Sequence, residues 1–268
     1  MMIALHARRS AASIARYAEA YPGRSLVLVL TGTDIYRDIR SDVDAQRSLA
    51  LASRLVVLEP EGLHELGPEQ AARTTVIRQS ARVLKPGVRC SRYFDMALVG
   101  HQRPEKDPLT AVRALLRVPA ARPVRMFHIG GALDAKLAAE VATLGGRDPR
   151  YHWLGALSQA ATRQRVKRCH LLLLPSLMEG GANVLIEAVS SGVPVIGSDV
   201  PGNRGMLGAD YPGWFPVGDD AGLARLIQRS MEDPAYYATL SQRCAERVSL
   251  FSRDRECAAV RAIQGMTR

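Results

Sequence analysis

The sequence predicts an α/β fold in two parts, each built on a parallel sheet. Three observations carry this. Short runs rich in Val, Ile and Leu alternate with segments of helical spacing, as in strand–helix–strand units. Apolar residues make up 47% of the 268 residues and charged residues 23%, ordinary usage for a chain that buries a core. Two series of strands flank a stretch, 85–92, that carries Pro86 and Gly87 and reads as a linker.

In the first series the strand candidates are 3–7, 26–31, 55–59 and 75–78. A helix over 10–20 follows from the spacing of Ile14, Tyr17 and Ala18. From Phe94 the second series runs FDMALVG, RMFHIG, RYHWLG, HLLLLPS and VPVIGSD, each a buried strand. Helices are expected between them over 109–117, 135–144, 162–169 and 184–191. GWFPVG reads as an edge strand, and 221–229, 235–248 and 253–264 as closing helices. His128, His152 and His170 fall in strands and read as core or edge residues. The expected domains are 1–92 and 93–251, with 252–268 packing back on the first. The first series has only four strands and begins abruptly inside one, so that domain is expected to be partial.

The net charge is +10, from 36 Lys and Arg against 26 Asp and Glu. No run of five or more basic residues occurs. The charge therefore reads as a solvated basic surface plus an anion-binding cleft, not a tract for nucleic acid or membrane. Aromatic residues are only 5%, few for the stacking platforms of single-strand binders. Cys90, Cys169, Cys244 and Cys257 form no C-x-x-C pair and share no zinc spacing with the six His, so free thiols in a reducing compartment are expected. Apolar runs such as 26–30 and 171–174 fall far short of the roughly 20 residues a membrane span takes. The start, MMIALHARRS, puts its apolar patch before Arg8 and Arg9, the reverse of a secretory signal. A cytoplasmic protein is expected, with neither nucleic acid nor a stable membrane contact among its partners; its oligomeric state stays open.

The chemistry gathers in HLLLLPSLMEGGANVLIEAVSSGVPVIGSD. A buried strand ends at Ser176, a loop holds Glu179, Gly180 and Gly181, and a helix starts near Asn183. Ligands bind at the carboxyl ends of parallel strands. Glycines let backbone approach a ligand, and the free N–H groups and dipole of a helix start suit a phosphate. Glu187, one turn into the helix, can accept hydrogen bonds from a ribose diol, and Glu179 lies beside the same opening. The competing reading is an ordinary tight loop with two acids at chance spacing. A second loop, LVGHQRPEKDP, follows a strand ending at Gly100 and carries His101, Arg103, Glu105 and Lys106, with Pro108 in the next helix's first turn. Arg and Lys there can clamp a diphosphate; the alternative is a solvated loop in which Glu105 balances a cation.

Together the two loops resemble the C-terminal domain of the family 4 glycosyltransferases of the GT-B fold. The likeness lies in Gly100 to Lys106, Leu154–Gly155, Pro175–Ser176, the E-x7-E from Glu179 to Glu187 with Gly180 and Ala188, and Gly192 followed by Pro194, Val195 and Ile196. It implies two Rossmann-type domains and a nucleotide-sugar donor. By the resemblance, Gly100, Arg103 and Lys106 hold the donor diphosphate, and Gly180, Gly181, Ala182 and Asn183 line it with backbone N–H groups. Glu187 binds the ribose, Glu179 faces the donor sugar, and the backbone around Gly155 and Ala156 reads the base. A narrower resemblance, over nearly the whole chain, is to the selenosugar synthases of selenoneine biosynthesis, which join selenophosphate to a sugar from a UDP-sugar. GTDIYRD and PGNRGMLGADYPG are its most specific parts.

These likenesses imply displacement of UDP from the anomeric carbon, with no metal and no other cofactor. The nucleophile is already anionic, so no strong general base is needed. GT-B enzymes carry a Gly-rich loop after their first strand; none precedes Ile3, so the catalytic centre is expected to be incomplete. Many family 4 enzymes also use a His near the reacting carbon, where this chain has TGTD after the strand 26–31. There, Thr33 or Asp34 can cap the next helix. Alternatively, Gly32 and Thr33 grip an anionic acceptor with Asp34 beside them. His6 ends the first strand and is either structural or a catalytic candidate, with Thr33 and Glu179. Asn203 and Arg204, in the loop after Pro201 and Gly202, are further acceptor-side candidates. Two rivals remain: transfer to a lipid or metabolite hydroxyl, and a basic nucleic-acid-binding protein on a relic fold.

Overall fold

Strands form where the apolar runs predict them. In the computed structural model, which describes residues 1–265, β1 (Met2–Leu5), β2 (Leu26–Leu30), β3 (Arg54–Val57) and β4 (Thr74–Val76) make one sheet in the order β1-β2-β3-β4. All pairs are parallel, and Leu28 lies opposite Ala4 on one side and Leu55 on the other. Having two neighbours and two covered faces, β2 is apolar throughout. Leu26, Leu28 and Leu30 pack with Ile14 of helix Ala11–Ala20 and with Ala45 and Leu49 of helix Val43–Leu51. On the other face Val27 packs with Ile263 of the last helix, Arg253–Gly265.

The second sheet contains β5 (Phe94–Val99), β6 (Val124–Ile129), β7 (Tyr151–Trp153), β8 (Leu171–Leu174), β9 (Val195–Ser198) and β10 (Trp214–Phe215). Its order is β10-β9-β8-β5-β6-β7, again all parallel. The four leucines of β8 are all buried, because β8 lies between β5 and β9. The chain moves outward from β5 to β7, then outward from β8 to β10 in the opposite direction. Right-handed crossovers therefore leave β5 and β8 towards opposite faces, and the loops after these two strands part to form a crevice. Helices of this half start cleanly because Asp107, Asp134, Ser158, Asp219 and Asp233 each accept an N–H from three residues on.

Three readings change. The helix expected after Thr33 and Asp34 has no bounds in the sequence; 34–51 holds a π-turn over Asp34–Asp38 and helices Ile39–Ser41 and Val43–Leu51. Charged residues interrupt its periodicity, while Ile35, Ile39, Ala45 and Leu49 are buried. Asn203 and Arg204 lie in a helix, Pro201–Leu207, and not in a loop. Pro201 sits in its first turn, where the missing N–H costs nothing. Neither Thr33 nor Asp34 caps the turn that follows them with a side chain.

The stretch 85–92 has no regular structure but is strapped to the second half. Gly87 N–H donates to Lys167 at 2.9 Å, and Arg89 donates to Gly192 and Tyr237 at 2.6 and 2.7 Å. Helix Arg253–Gly265 returns to the first sheet, where Glu256 accepts from Ser80 N and Oγ at 3.1 and 2.5 Å. The rest of the segment 252–268, residues 266–268, lies outside the described residues. Among the described residues no helix is long and apolar enough to cross a membrane. The four cysteines are free.

His128 on β6 fastens the site to the sheet. Its Nε2 lies 3.1 Å from the Gly100 carbonyl, which can only accept, so Nε2 carries the proton and Nδ1 accepts from the Tyr151 hydroxyl at 2.6 Å. Burial pushes its pKa from 6.5 down to about 4. Between those values the unfolded chain binds a proton that the folded chain refuses. Stability present above pH 6.5 is therefore lost as the pH falls towards 4. Urea unfolding near pH 7 and near pH 5 should show the native chain losing about 2 kcal/mol more than His128→Gln. Equal losses would separate the acid sensitivity from His128.

Candidate active site

The β5 and β8 loops meet at the crevice. After β8, Ser176 is fully buried and its hydroxyl donates to Glu179 Oε1 at 2.6 Å. Lys106, at the end of the 3-10 turn Pro104–Lys106, reaches the same oxygen with Nζ at 2.6 Å. Leu177 N–H donates to the Glu105 carbonyl at 2.9 Å and ties the two loops together. Gly100 lies under Lys106: a Cβ there would come within 3.2 Å of the lysine Cγ.

The following turn is shaped by contacts that leave no room for side chains. A Cβ on Gly180 would stand 2.2 Å from the Thr31 carbonyl oxygen, and one on Gly181 2.8 Å from Leu58 Cβ. Both contacts come from the first sheet's carboxyl edge. Gly202, in helix Pro201–Leu207, backs the loop: its Cβ would stand 1.6 Å from the Glu179 carbonyl oxygen. The N–H groups of Gly181, Ala182 and Asn183 find no acceptor among the described residues, as helix starts leave them. Asn183 begins helix Asn183–Val189, in which Glu187 is buried. Glu187 Oε1 accepts from Gln159 Nε2 at 2.8 Å and stands 3.8 Å from Arg163 Nε. Two acids, each paired with a polar or cationic neighbour, thus flank the exposed N–H groups.

Several buried polar atoms around this crevice make no hydrogen bond: Arg103 Nε, Gln79 Oε1 and Arg163 Nε. Gln79, just past β4, would lie 3.5 Å from a Cβ on Gly181. Gln79, Gln159 and Arg163 are absent from the sequence-derived site. They belong to no motif, and only their position beside Gly181 and Glu187 marks them.

The first half of the site departs from expectation. Asp34 is fully buried and accepts from the N–H groups of Thr31, Gly32 and Ala7 at 2.9, 2.8 and 3.0 Å. The Gly32 N–H is thus spent on its own loop, and Asp34 is an internal clamp with no surface to offer an acceptor. Thr33 Oγ1 lies 3.0 Å from His6 Nε2, and His6 Nδ1 accepts from Arg9 N–H at 3.4 Å, so Nε2 is the donor. His6 has a positive φ of 70° and is buried; burial lowers its pKa. His6 and Thr33 therefore fasten β1 to the turn after β2. Asn203 is fully buried and donates from Nδ2 to the Ser198 carbonyl at 2.8 Å, while its Oδ1 is buried without a hydrogen bond. Arg204 pairs with Asp199 at 3.1 Å. Gly155, at φ 68°, gives its carbonyl to Gly130 N–H at 2.8 Å, leaving Ala156 as the exposed residue beside it.

Residues 91–248 match the model of the group 1 glycosyl transferases. The chain belongs to this family. Solved glycosyltransferase structures share its architecture. HepE of Anabaena, solved in complex with UDP-glucose, superposes with a TM-score of 0.80 at 18% identity, over 98% of this chain and 78% of that one. Sucrose-phosphate synthase from Thermosynechococcus elongatus gives 0.78 at 19% identity, over 98% and 72%. S. aureus TarM, solved in complex with UDP among other ligands, gives 0.71 at 13% identity, over 91% and 51%. At such identities the likeness concerns the fold: this glycosyltransferase has the two-sheet GT-B architecture.

The Lys106–Glu179 pair is largely enclosed, so removing the cation leaves a buried carboxylate uncompensated. Lys106→Ala should cost about 2–3 kcal/mol of stability, below the roughly 3–5 kcal/mol of a fully buried pair because Lys106 keeps some solvent access. Lys106→Ala combined with Glu179→Gln should recover most of that loss, measured by chemical denaturation; an additive double variant would show the pair to be uncoupled.

Proposed function

We propose that this glycosyltransferase takes its sugar from a UDP-sugar and passes it to a small anion, selenophosphate, giving a selenosugar. The observation that carries the donor side is the convergence, at the second sheet's switch point, of Lys106 with unbonded N–H groups of Gly181, Ala182 and Asn183. Arg103, in the same loop as Lys106, adds a buried Nε without a partner. This set matches a diphosphate in charge and donor count. Glu187 takes the ribose, exchanging its bond from Gln159 for the diol, and Glu179 faces the sugar. That HepE was solved with UDP-glucose and TarM with UDP supports the choice of nucleotide.

The step is a displacement at the anomeric carbon. An electron pair from the acceptor's selenium forms the new bond to the carbon. The pair of the breaking C–O bond moves to the β-phosphate oxygen and UDP leaves; the sugar then sits on selenium with the Se–P bond intact, and attack of water on phosphorus breaks that bond, freeing the selenosugar and inorganic phosphate. Arg103, Lys106 and the N–H groups stabilise the charge that develops on the β-phosphate oxygen. The acceptor assignment rests on the resemblance of GTDIYRD and PGNRGMLGADYPG to selenosugar synthases. The Gly32 N–H is spent on Asp34 and takes no part in holding the acceptor.

Calorimetry tests the donor reading. UDP should bind the native chain, and Lys106→Ala should weaken it by about 1.5–3 kcal/mol, the size of one charge-assisted phosphate contact. Glu187→Gln should weaken UDP more than it weakens pyrophosphate; equal losses would take Glu187 off the ribose. Mass spectrometry of UDP-sugars incubated with selenophosphate tests the acceptor. A hydroxyl-linked product and no selenosugar would replace selenophosphate with an alcohol acceptor.

A further inference from the structure

The two segments most specific to this chain, GTDIYRD and PGNRGMLGADYPG, come together in space through a residue in neither. Glu59 follows β3 and is 1% exposed. Its Oε1 accepts from the Tyr36 hydroxyl of the first segment at 2.5 Å, and its Oε2 accepts from Glu61 N–H at 2.6 Å. The carboxylate is thereby held in one orientation and pressed against the second segment: a Cβ on Gly205 would stand 1.8 Å from Glu59 Oε2. Gly205 lies one turn after Gly202 on helix Pro201–Leu207, and Gly202 is the residue packed on the Glu179 carbonyl. One bare face of this short helix therefore touches a carboxylate of the first half and the catalytic-loop backbone of the second. That backbone in turn abuts the Thr31 carbonyl and Gly32 Cα, at 2.2 and 2.6 Å from a Cβ on Gly180. Asn203, between the two glycines, anchors the helix to the end of β9 through the Ser198 carbonyl at 2.8 Å.

We propose that Tyr36 and Glu59 are positioning residues: their hydrogen-bonded pair seats helix Pro201–Leu207 and, through it, holds the peptide of Glu179 and Gly180 in register against Thr31 and Gly32. The relation is mechanical. The helix cannot move towards the first half without meeting the Glu59 carboxylate, and cannot move away without releasing the loop. Removing the Tyr36 hydroxyl frees Glu59 to turn. Adding a methyl at Gly205 pushes the helix off its seat. Glu179 then loses its fixed place between Ser176 and Lys106, and the Gly181 N–H groups lose theirs. Neither Tyr36 nor Glu59 touches the donor groups, so their effect on the site is indirect.

Hydrogen–deuterium exchange of the full chain, without nucleotide, tests this on Tyr36→Phe, Gly205→Ala, Glu59→Ala and the Glu59→Ala, Gly205→Ala double variant. Gly205→Ala should speed exchange of the Leu177 amide, which is bonded to the Glu105 carbonyl, by about tenfold while leaving β8 unchanged, as local opening does. Tyr36→Phe should act in the same direction with a smaller effect. In the double variant the methyl meets no carboxylate and keeps only the 3.0 Å contact to the Cβ at position 59, so most of the added effect of Gly205→Ala should be lost on the Glu59→Ala background. Unchanged exchange of the Leu177 amide in Tyr36→Phe and Gly205→Ala would overturn the proposal. So would a rise shared equally by the core strands, which is mere loss of stability, or additivity in the double variant. If Gly205→Ala does not fold, Tyr36→Phe, which loses one oxygen, decides alone. UDP titration of the same variants should show weaker binding in step with the loop exchange. A native chain that fails to bind UDP would remove the donor reading and leave the exchange result standing.

Discussion

The peptide of Glu179 and Gly180 is squeezed between two backbones, and the rest of the site is arranged around that contact. On one side stands the Thr31 carbonyl, on the other Gly202, and at neither is there room for a β-carbon. Backbone can approach backbone this closely only where side chains are absent on the facing atoms. The loop's conformation is then set by three elements at once: the end of β2, the end of β8 and helix Pro201–Leu207. Lys106 and Ser176 meet Glu179 at one oxygen because the loop presents it there.

Charge is distributed accordingly. Many arginines are paired by neighbours: Arg125 makes a two-pronged pair with Asp95, Arg150 with Asp148, and Arg8 and Arg37 share Asp38, while Arg37 also reaches Glu105 of the crevice loop at 3.1 Å. Such pairs cancel one charge against another and leave the net +10 of the chain to its unpaired basic residues. At the crevice the pattern changes. Arg103 Nε and Arg163 Nε are buried without hydrogen bonds, and N–H groups at a helix start are unused. A buried donor without a partner costs stability, so its persistence at a switch-point crevice fits a surface shaped for an anion.

The same economy explains the turn after β2. It has donors of its own, but Asp34 takes three backbone N–H groups, and Thr33 is occupied by His6. The turn is therefore held by its own contacts and forms a wall for Gly180 to lean on.

Much of this architecture was legible in the sequence. Four consecutive leucines bounded by Pro175 predict a central strand, and alternating strands and helices predict parallel sheets. E-x7-E with its glycines, downstream of G-x-x-x-x-x-K, marks the crevice, because strand, loop and helix are written by residues close together in the chain. Other features were decided only by tertiary contact. Asp34 reads as a cap or an acceptor contact until Ala7, 27 residues away in the chain, is found donating to it. Asn203 reads as a loop residue until Pro201–Leu207 is seen as a helix buried against Ser198. Glu59 has no motif at all; its place between Tyr36 and Gly205 depends on three segments meeting. A side chain's partner across a fold is not encoded in local spacing, so whether a polar group is free for a ligand or already bonded is settled only when the sheets come together.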